Sequence, residues 1–167
     1  MKLKPLFFLL FLFQLLQFPT IAQDNLFDSL KIALSQTKQD TSRALLYVQL
    51  SETCPIEEIE SYANKTIVLC ELNLKKITSK NNDYKLYSRC IAAAYNNLGF
   101  LNSEHSNFKK ALEYYHKSLT ISQDIDAKQE IATSYNNMGY IYDTQGDIPK
   151  ALEYYLNSLT IKKKFNN

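Results

Sequence analysis

The chain contains one stretch twice. Residues 95–121, YNNLGFLNSEHSNFKKALEYYHKSLTI, return at 135–161 as YNNMGYIYDTQGDIPKALEYYLNSLTI, with 14 of 27 positions identical and no gap. Ile91 and Ala92 match Ile131 and Ala132 in the same register. A repeat at fixed spacing restricts the fold sharply, because each unit must bury its apolar face on a neighbouring copy.

Each copy carries two helical stripes. Ile91, Tyr95, Leu98 and Leu101 mark the first; Phe108, Ala111, Leu112, Tyr115 and Leu119 mark the second. The short polar run Asn102–Asn107 suits a helix–helix turn. In the second copy the turn is Gln145-Gly146-Asp147. Gly146 is expected at positive φ, Asp147 as the next N-cap, and Pro149 in the first turn, where a missing N–H costs little. Gly99 and Gly139 fall inside helices, at a cost of about 1 kcal/mol each relative to alanine. Ala111 and Ala151 follow at the same interval, which predicts close helix pairing through facing small residues, with Tyr115 and Tyr155 filling space beside them.

The pattern Tyr95…Leu98-Gly99…Ala111…Tyr115, repeated as Tyr135…Met138-Gly139…Ala151…Tyr155, resembles the tetratricopeptide repeat, a helix–turn–helix of about 34 residues. The copies here lie 40 residues apart. The extra residues are assigned to Ser122–Gln129, between the second helix of one copy and the first of the next. This is similar to the long-helix subclass of the family, in its exported bacterial form. The resemblance implies an all-α chain, a right-handed α-solenoid of antiparallel helix pairs, with about seven helices after a leader.

The leader is expected at residues 1–22. Lys2 and Lys4 precede the apolar run Leu6–Phe18, and Thr20-Ile21-Ala22 offers a small-residue cleavage site. The run is short for a span of about 20 residues, so an exported chain, periplasmic or secreted after cleavage, is expected in preference to one anchored by an uncleaved leader. Without Lys2 and Lys4 the chain has 17 basic and 17 acidic residues. That balance gives no electrostatic footprint for nucleic acid.

Residues 23–87 are assigned to N-terminal helices with a degenerate repeat. One helix is expected at 24–36, capped by Asp24 or Asn25, and another at 41–52, capped by Asp40. Thr53-Cys54-Pro55 makes a turn, a third helix runs to Leu74, and Lys75–Asp83 is a long polar connection. Ser61-Tyr62-Ala63-Asn64-Lys65 echoes Glu113-Tyr114-Tyr115-His116-Lys117, but the helix glycine has no counterpart. The clear repeats are 88–127 and 128–167, the latter uncapped. Leu152, Leu156 and Leu159 are therefore expected to be partly exposed, since terminal repeats normally need a polar outer face. The open end is expected to fray, to pair with a second copy, or to continue. Resemblance to exported repeat proteins implies the last: a sensor front of a membrane signalling protein with a kinase or DNA-binding output.

No constellation for catalysis stands out. His105 and His116 have no Cys or acidic residue at metal-ligand spacing. Cys54, Cys70 and Cys90 match no zinc or redox motif. They are expected as buried packing residues, the alternative for an exported chain being one disulfide and one free thiol. Neither enzyme activity, cofactor, metal nor small-molecule substrate is expected.

Asn96-Asn97 and Asn136-Asn137 recur in the first helix of each copy, although asparagine is a mediocre helix former. An amide can donate to a peptide carbonyl and accept from its N–H. The resemblance implies that first helices line a concave face and that Asn97 and Asn137, each just before Leu/Met-Gly, grip an extended peptide. Asn96, Phe100, Thr133, Asn136, Tyr140 and Asp143 join them as candidate contacts. The alternative is that the asparagines bond within the stack. Carboxylate-gripping repeats place Lys or Arg on this face, whereas Ala93, Asn96, Thr133 and Asn136 stand here. An extended internal segment or a partner helix is thus the expected ligand.

Overall fold

A computed structural model describes the backbone of residues 18–165 and the side chains of residues 25–164. Among these residues are seven α-helices: α1 (Phe18–Gln36), α2 (Asp40–Thr53), α3 (Ile59–Leu74), α4 (Asn82–Glu104), α5 (Phe108–Asp124), α6 (Lys128–Thr144) and α7 (Ile148–Phe165). A 3-10 turn, Ile56–Glu58, precedes α3, and no strand is present among the described residues. The architecture is an all-α solenoid. Consecutive helices pair, and the first helices α2, α4 and α6 also touch in succession, more closely than α3, α5 and α7 do. The closer layer of a curved stack is its inner one, so α2, α4 and α6 line the concave side.

The turns explain the repeat geometry. The three connections His105–Asn107, Ile125–Ala127 and Gln145–Asp147 share one conformation, with the middle residue left-handed: Ser106 at φ 57°, Asp126 at 55° and Gly146 at 78°. In each, the last turn residue donates to a carbonyl five residues back, as Asn107 N does to Asn102 O (2.8 Å) and Asp147 N to Tyr142 O (2.9 Å). The middle residue donates three back, as Ser106 N does to Ser103 O (2.8 Å). This is the Schellman closure, which satisfies the last carbonyls of the helix. Asn107 and Asp147 then cap the following helices, accepting from the N–H groups of Lys110 (3.4 Å) and Lys150 (3.3 Å). The expected roles of Gly146 and Asp147 are thus present, and the same motif occurs twice more without glycine.

Several boundaries differ from the sequence expectations. No loop fills Ser122–Gln129: α5 runs to Asp124 and α6 starts at Lys128, so the long period is taken up as helix. Asp24 and Asn25 lie inside α1, which starts at Phe18; Pro19 is tolerated there because the first turn has no N–H bond to lose. Of the expected leader, residues 1–17 lie outside the described residues. Asp40 is the first residue of α2, not its cap; it accepts from Asn73 Nδ2 (3.1 Å) and pairs with Arg43. Cys54 ends α2 in an extended conformation (φ −73°, ψ 163°), as a residue before proline should. Helix α4 starts at Asn82, with Asn81 Oδ1 accepting from Tyr84 N (2.9 Å), and passes unbroken through residue 88.

The core falls into several buried clusters along the stack. Phe27 joins Leu50, Ile59, Tyr62 and Leu101; Tyr115, Leu119, Ile131, Met138 and Ile141 fill the later repeats. The glycines work differently from the expected Gly–Ala contact. A Cβ on Gly99 would lie 2.5 Å from Tyr115 Cε1, and one on Gly139 2.8 Å from Tyr155 Cδ1, with Ala151 O next at 3.3 Å. The helix glycine makes room for a tyrosine ring on the paired helix. Tyr115 is 2% exposed, and burial pushes its phenol well above its ordinary range. Tyr95, Tyr135 and Tyr155 are half-buried, and Leu98, Ala111, Met138 and Ala151 are buried. Tyr114 stacks on Tyr95 (6.0 Å between centroids), and Tyr154 on Tyr142 (5.3 Å) and against Tyr135 (6.1 Å).

Candidate functional site

The concave face is built from three helical stripes. Helical spacing puts Leu45, Val48 and Glu52 on one face of α2, and Lys85, Arg89, Ala93, Asn96 and Phe100 on one face of α4. Thr133, Asn136, Tyr140 and Asp143 follow on α6. A cleft of about 580 Å³ opens there. Leu45, Val48, Leu86, Cys90 and Ala93 supply its apolar surface, Glu52 and Asn97 one end, and Arg89, Glu130 and Thr133 the side toward α6.

The charged groups were not legible in the sequence. Arg89 Nε donates to Glu130 Oε1 at 2.9 Å, bridging α4 and α6. Glu130 Oε2 is buried without a hydrogen-bond partner. Lys85 is exposed at the mouth. Glu52 borders the cleft on its exposed side, and partial burial raises its carboxyl above the usual carboxylate range. The positions where a carboxylate grip would place a basic residue, Ala93, Asn96, Thr133 and Asn136, carry none. Arg89 and Lys85 sit one and two turns earlier on the α4 stripe, ahead of the duplicated block, and their helical spacing from Ala93 was the available signal.

The asparagines are engaged within the stack. Asn97 Nδ2 donates to Ser51 Oγ on α2 (2.7 Å), and Asn137 Nδ2 donates to Asn96 Oδ1 on α4 (2.9 Å). Each bond runs from one first helix back to the preceding one, which accounts for the recurrence as a clasp between neighbours. An amide has a second N–H and a carbonyl with two lone pairs, so neither side chain is exhausted. Asn136 and Asp143 are exposed, as are Phe100 (45%) and Tyr140 (50%). Thr133 Oγ1 bonds its own helix at Gln129 O (3.0 Å) and borders the cleft. The structure therefore gathers Asn96, Asn97 and Thr133 at the cleft, and leaves Phe100, Asn136, Asn137, Tyr140 and Asp143 outside its lining.

Elsewhere, His105 and His116 are exposed. Among the described residues no group of three or more His, Cys, Asp or Glu side chains is placed to hold a metal, and no helix is long and apolar enough to cross a membrane. On α7, Ile148 (57% exposed), Leu152 (57%), Leu156 (51%) and Leu159 (46%) form an open stripe.

The family model described as tetratricopeptide repeat matches residues 90–164. A search of curated proteins found no match. Among solved structures the chain is similar to one titled "Crystal structure of MamA", at 18% identity and a TM-score of 0.41, over 90% of this chain and 94% of that one.

Proposed function

We propose that this stack, whose residues 90–164 carry tetratricopeptide repeats, is a protein-interaction scaffold that takes an extended peptide or a partner helix on its concave face. The supporting observation is the cleft over α4: an apolar floor large enough for an anchor side chain, framed by Arg89, Lys85, Glu52 and Glu130. Such a frame suits an internal segment with an apolar anchor and charges on either side. Asn96 and Asn136 present amides along the same face, while Asn97 and Asn137 hold the stack in register. Selecting displayed random peptides on the protein and measuring their affinity for Ala93→Trp tests this. The indole fills the cleft, and a loss of at least about tenfold is expected from excluding a buried anchor. Unchanged affinity refutes the cleft as the site.

The open stripe on α7 supports a second reading, pairing with a second copy. An antiparallel α7–α7 contact would bury Ile148, Leu152, Leu156 and Leu159 against their counterparts. Light scattering should find a dimer that Leu156→Glu converts to monomer; a wild type that stays monomeric at high concentration removes this reading. We also propose that residues 1–22 direct export. Cleavage after Ala22 would leave a mature protein beginning at Gln23, and N-terminal sequencing of native material checks it.

A further inference from the structure

Two of the three cysteines meet. Cys70 on α3 and Cys90 on α4 share one buried cluster with Ala44, Tyr87 and Ile91, at 0% and 3% exposure. They stand on paired helices, and each thiol is the largest influence on the titration of the other. Cys54 lies apart, in the cluster under α1 with Phe27 and Ile59. The two partners also differ in setting. Cys90 borders the concave cleft beside Arg89, whereas Cys70 is sealed from solvent behind it.

We propose that Cys70 and Cys90 form a redox-active pair, joined as a disulfide by exchange with a small-molecule disulfide that enters through the cleft. In the first step the Cys90 thiolate attacks one sulfur of the incoming disulfide, forming a mixed disulfide and releasing one thiolate. In the second, Cys70 loses its proton and attacks the Cys90 sulfur; the Cys70–Cys90 bond forms and the second small thiolate leaves. Overall the protein loses two hydrogens and two electrons, and the small disulfide gains them as two thiols. The assignment of roles follows from the surroundings. The neighbouring Cys70 thiol and the charge of Arg89 draw the Cys90 thiol downward, while Cys70, beside Cys90 in a dry site, is held well above the ordinary thiol range. Cys54 is no competitor: burial and Glu58 push its thiol up to about 11.

The bond would close a loop through the polar connection Lys75–Asn81 and tie the first helix pair to the repeats that follow. A loop of this length is expected to raise Tm by about 6–12 °C. The inference does not depend on the cleft's partner or on export, because the assay supplies the oxidant.

The test incubates the chain with excess glutathione disulfide, quenches with acid, alkylates in denaturant and maps peptides by mass spectrometry. One alkylated thiol, at Cys54, and a reductant-sensitive link between the peptides of Cys70 and Cys90 are expected. Cys70→Ser should stop at the glutathione adduct on Cys90, while Cys90→Ser should leave Cys70 unmodified in the folded protein. Three alkylated thiols in the wild type, a link through Cys54, or an adduct on Cys90 that Cys70 never displaces each overturn the proposal, and all three are read on wild-type protein without reliance on a variant's folding.

Discussion

Gly99→Ala should destabilise the protein even though it puts a better helix former into a helix. A Cβ at residue 99 falls 2.5, 2.6 and 3.0 Å from three ring atoms of Tyr115. That ring is 2% exposed and packs in the cluster of Leu119, Met138 and Ile141, so it has nowhere to go. The propensity gain is about 1 kcal/mol, and overpacking a filled core costs about 1–3 kcal/mol. Three overlapping atoms place the cost at the upper end, leaving a net loss of about 2 kcal/mol, or a Tm lower by about 4–8 °C in a chain of this size. In a Tyr115→Ala background the ring is gone, and the same substitution should become stabilising by about 1 kcal/mol. Thermal unfolding of the four proteins by circular dichroism reads the cycle. If Gly99→Ala raises Tm in the wild type, or shifts it equally in both backgrounds, the ring contact is not what the glycine serves. Gly139→Ala should cost less, because Tyr155 is half-buried on the last helix and its ring can swing aside.

Three further expectations concern the turns and ties. Ser106 holds φ 57° without being glycine, so Ser106→Gly should raise stability by about 0.5 kcal/mol, the relief of left-handed strain less the added freedom of the unfolded chain; thermal melts decide the sign. Asn97→Ala removes the bond to Ser51 and should cost about 1 kcal/mol in urea unfolding, which separates its clasp role from any loss of peptide binding. Asp124 accepts from Lys80 Nζ (2.5 Å) and Tyr84 OH (3.1 Å), which holds its carboxyl below the usual range and raises the Lys80 ammonium above its own. A depressed acid stabilises the fold above its unfolded pKa and loses that contribution as pH falls through the folded one; the raised amine contributes below its unfolded pKa and loses it as pH rises past the folded one. The tie between the Lys75–Asn81 connection and the end of α5 should therefore hold at neutral pH and loosen in acid. An NMR titration of Asp124 should move upward in Lys80→Ala, and an unmoved midpoint counts against the tie.

What was legible in the sequence was whatever the duplication wrote twice. Helix pairing, the turn at Gly146, the Asp147 cap and the open stripe of Leu152, Leu156 and Leu159 all follow from two copies aligned without a gap. The left-handed residues Ser106 and Asp126 were hidden because neither is a glycine; the closure of the backbone imposes their conformation, not their side chains. The start of α1 was hidden because Asp24 and Asn25 looked like caps, while Pro19 is compatible with a first turn. The cleft was half legible. Periodicity gave its face, but the Arg89–Glu130 bridge joins residues that the duplication does not match, so only the packing of α4 on α6 brings them together. The asparagines show the opposite case. Their recurrence was plain, but which partners they reach within the stack, Ser51 for Asn97 and Asn96 for Asn137, took the packing to reveal.

The degenerate first repeat has a physical account once the glycine contact is known. Lys65 lies over the Tyr62 ring at 4.8 Å as Lys117 lies over Tyr114 at 5.4 Å, so α3 and α5 follow the alignment suggested by their sequence echo. In that alignment Thr66 falls at Ser118, both buried, and Ala63 falls where Tyr115 stands. Ala63 is fully buried and packs with Ala94 and Leu98. With a methyl group in place of a ring, the partner helix needs no glycine, and α2 has none. The first repeat therefore lacks both halves of that contact, the ring on its second helix and the glycine on its first, and its small residue packs instead on the next helix, α4. A lone tyrosine at position 63, with no glycine opposite, is the change this pair could not absorb.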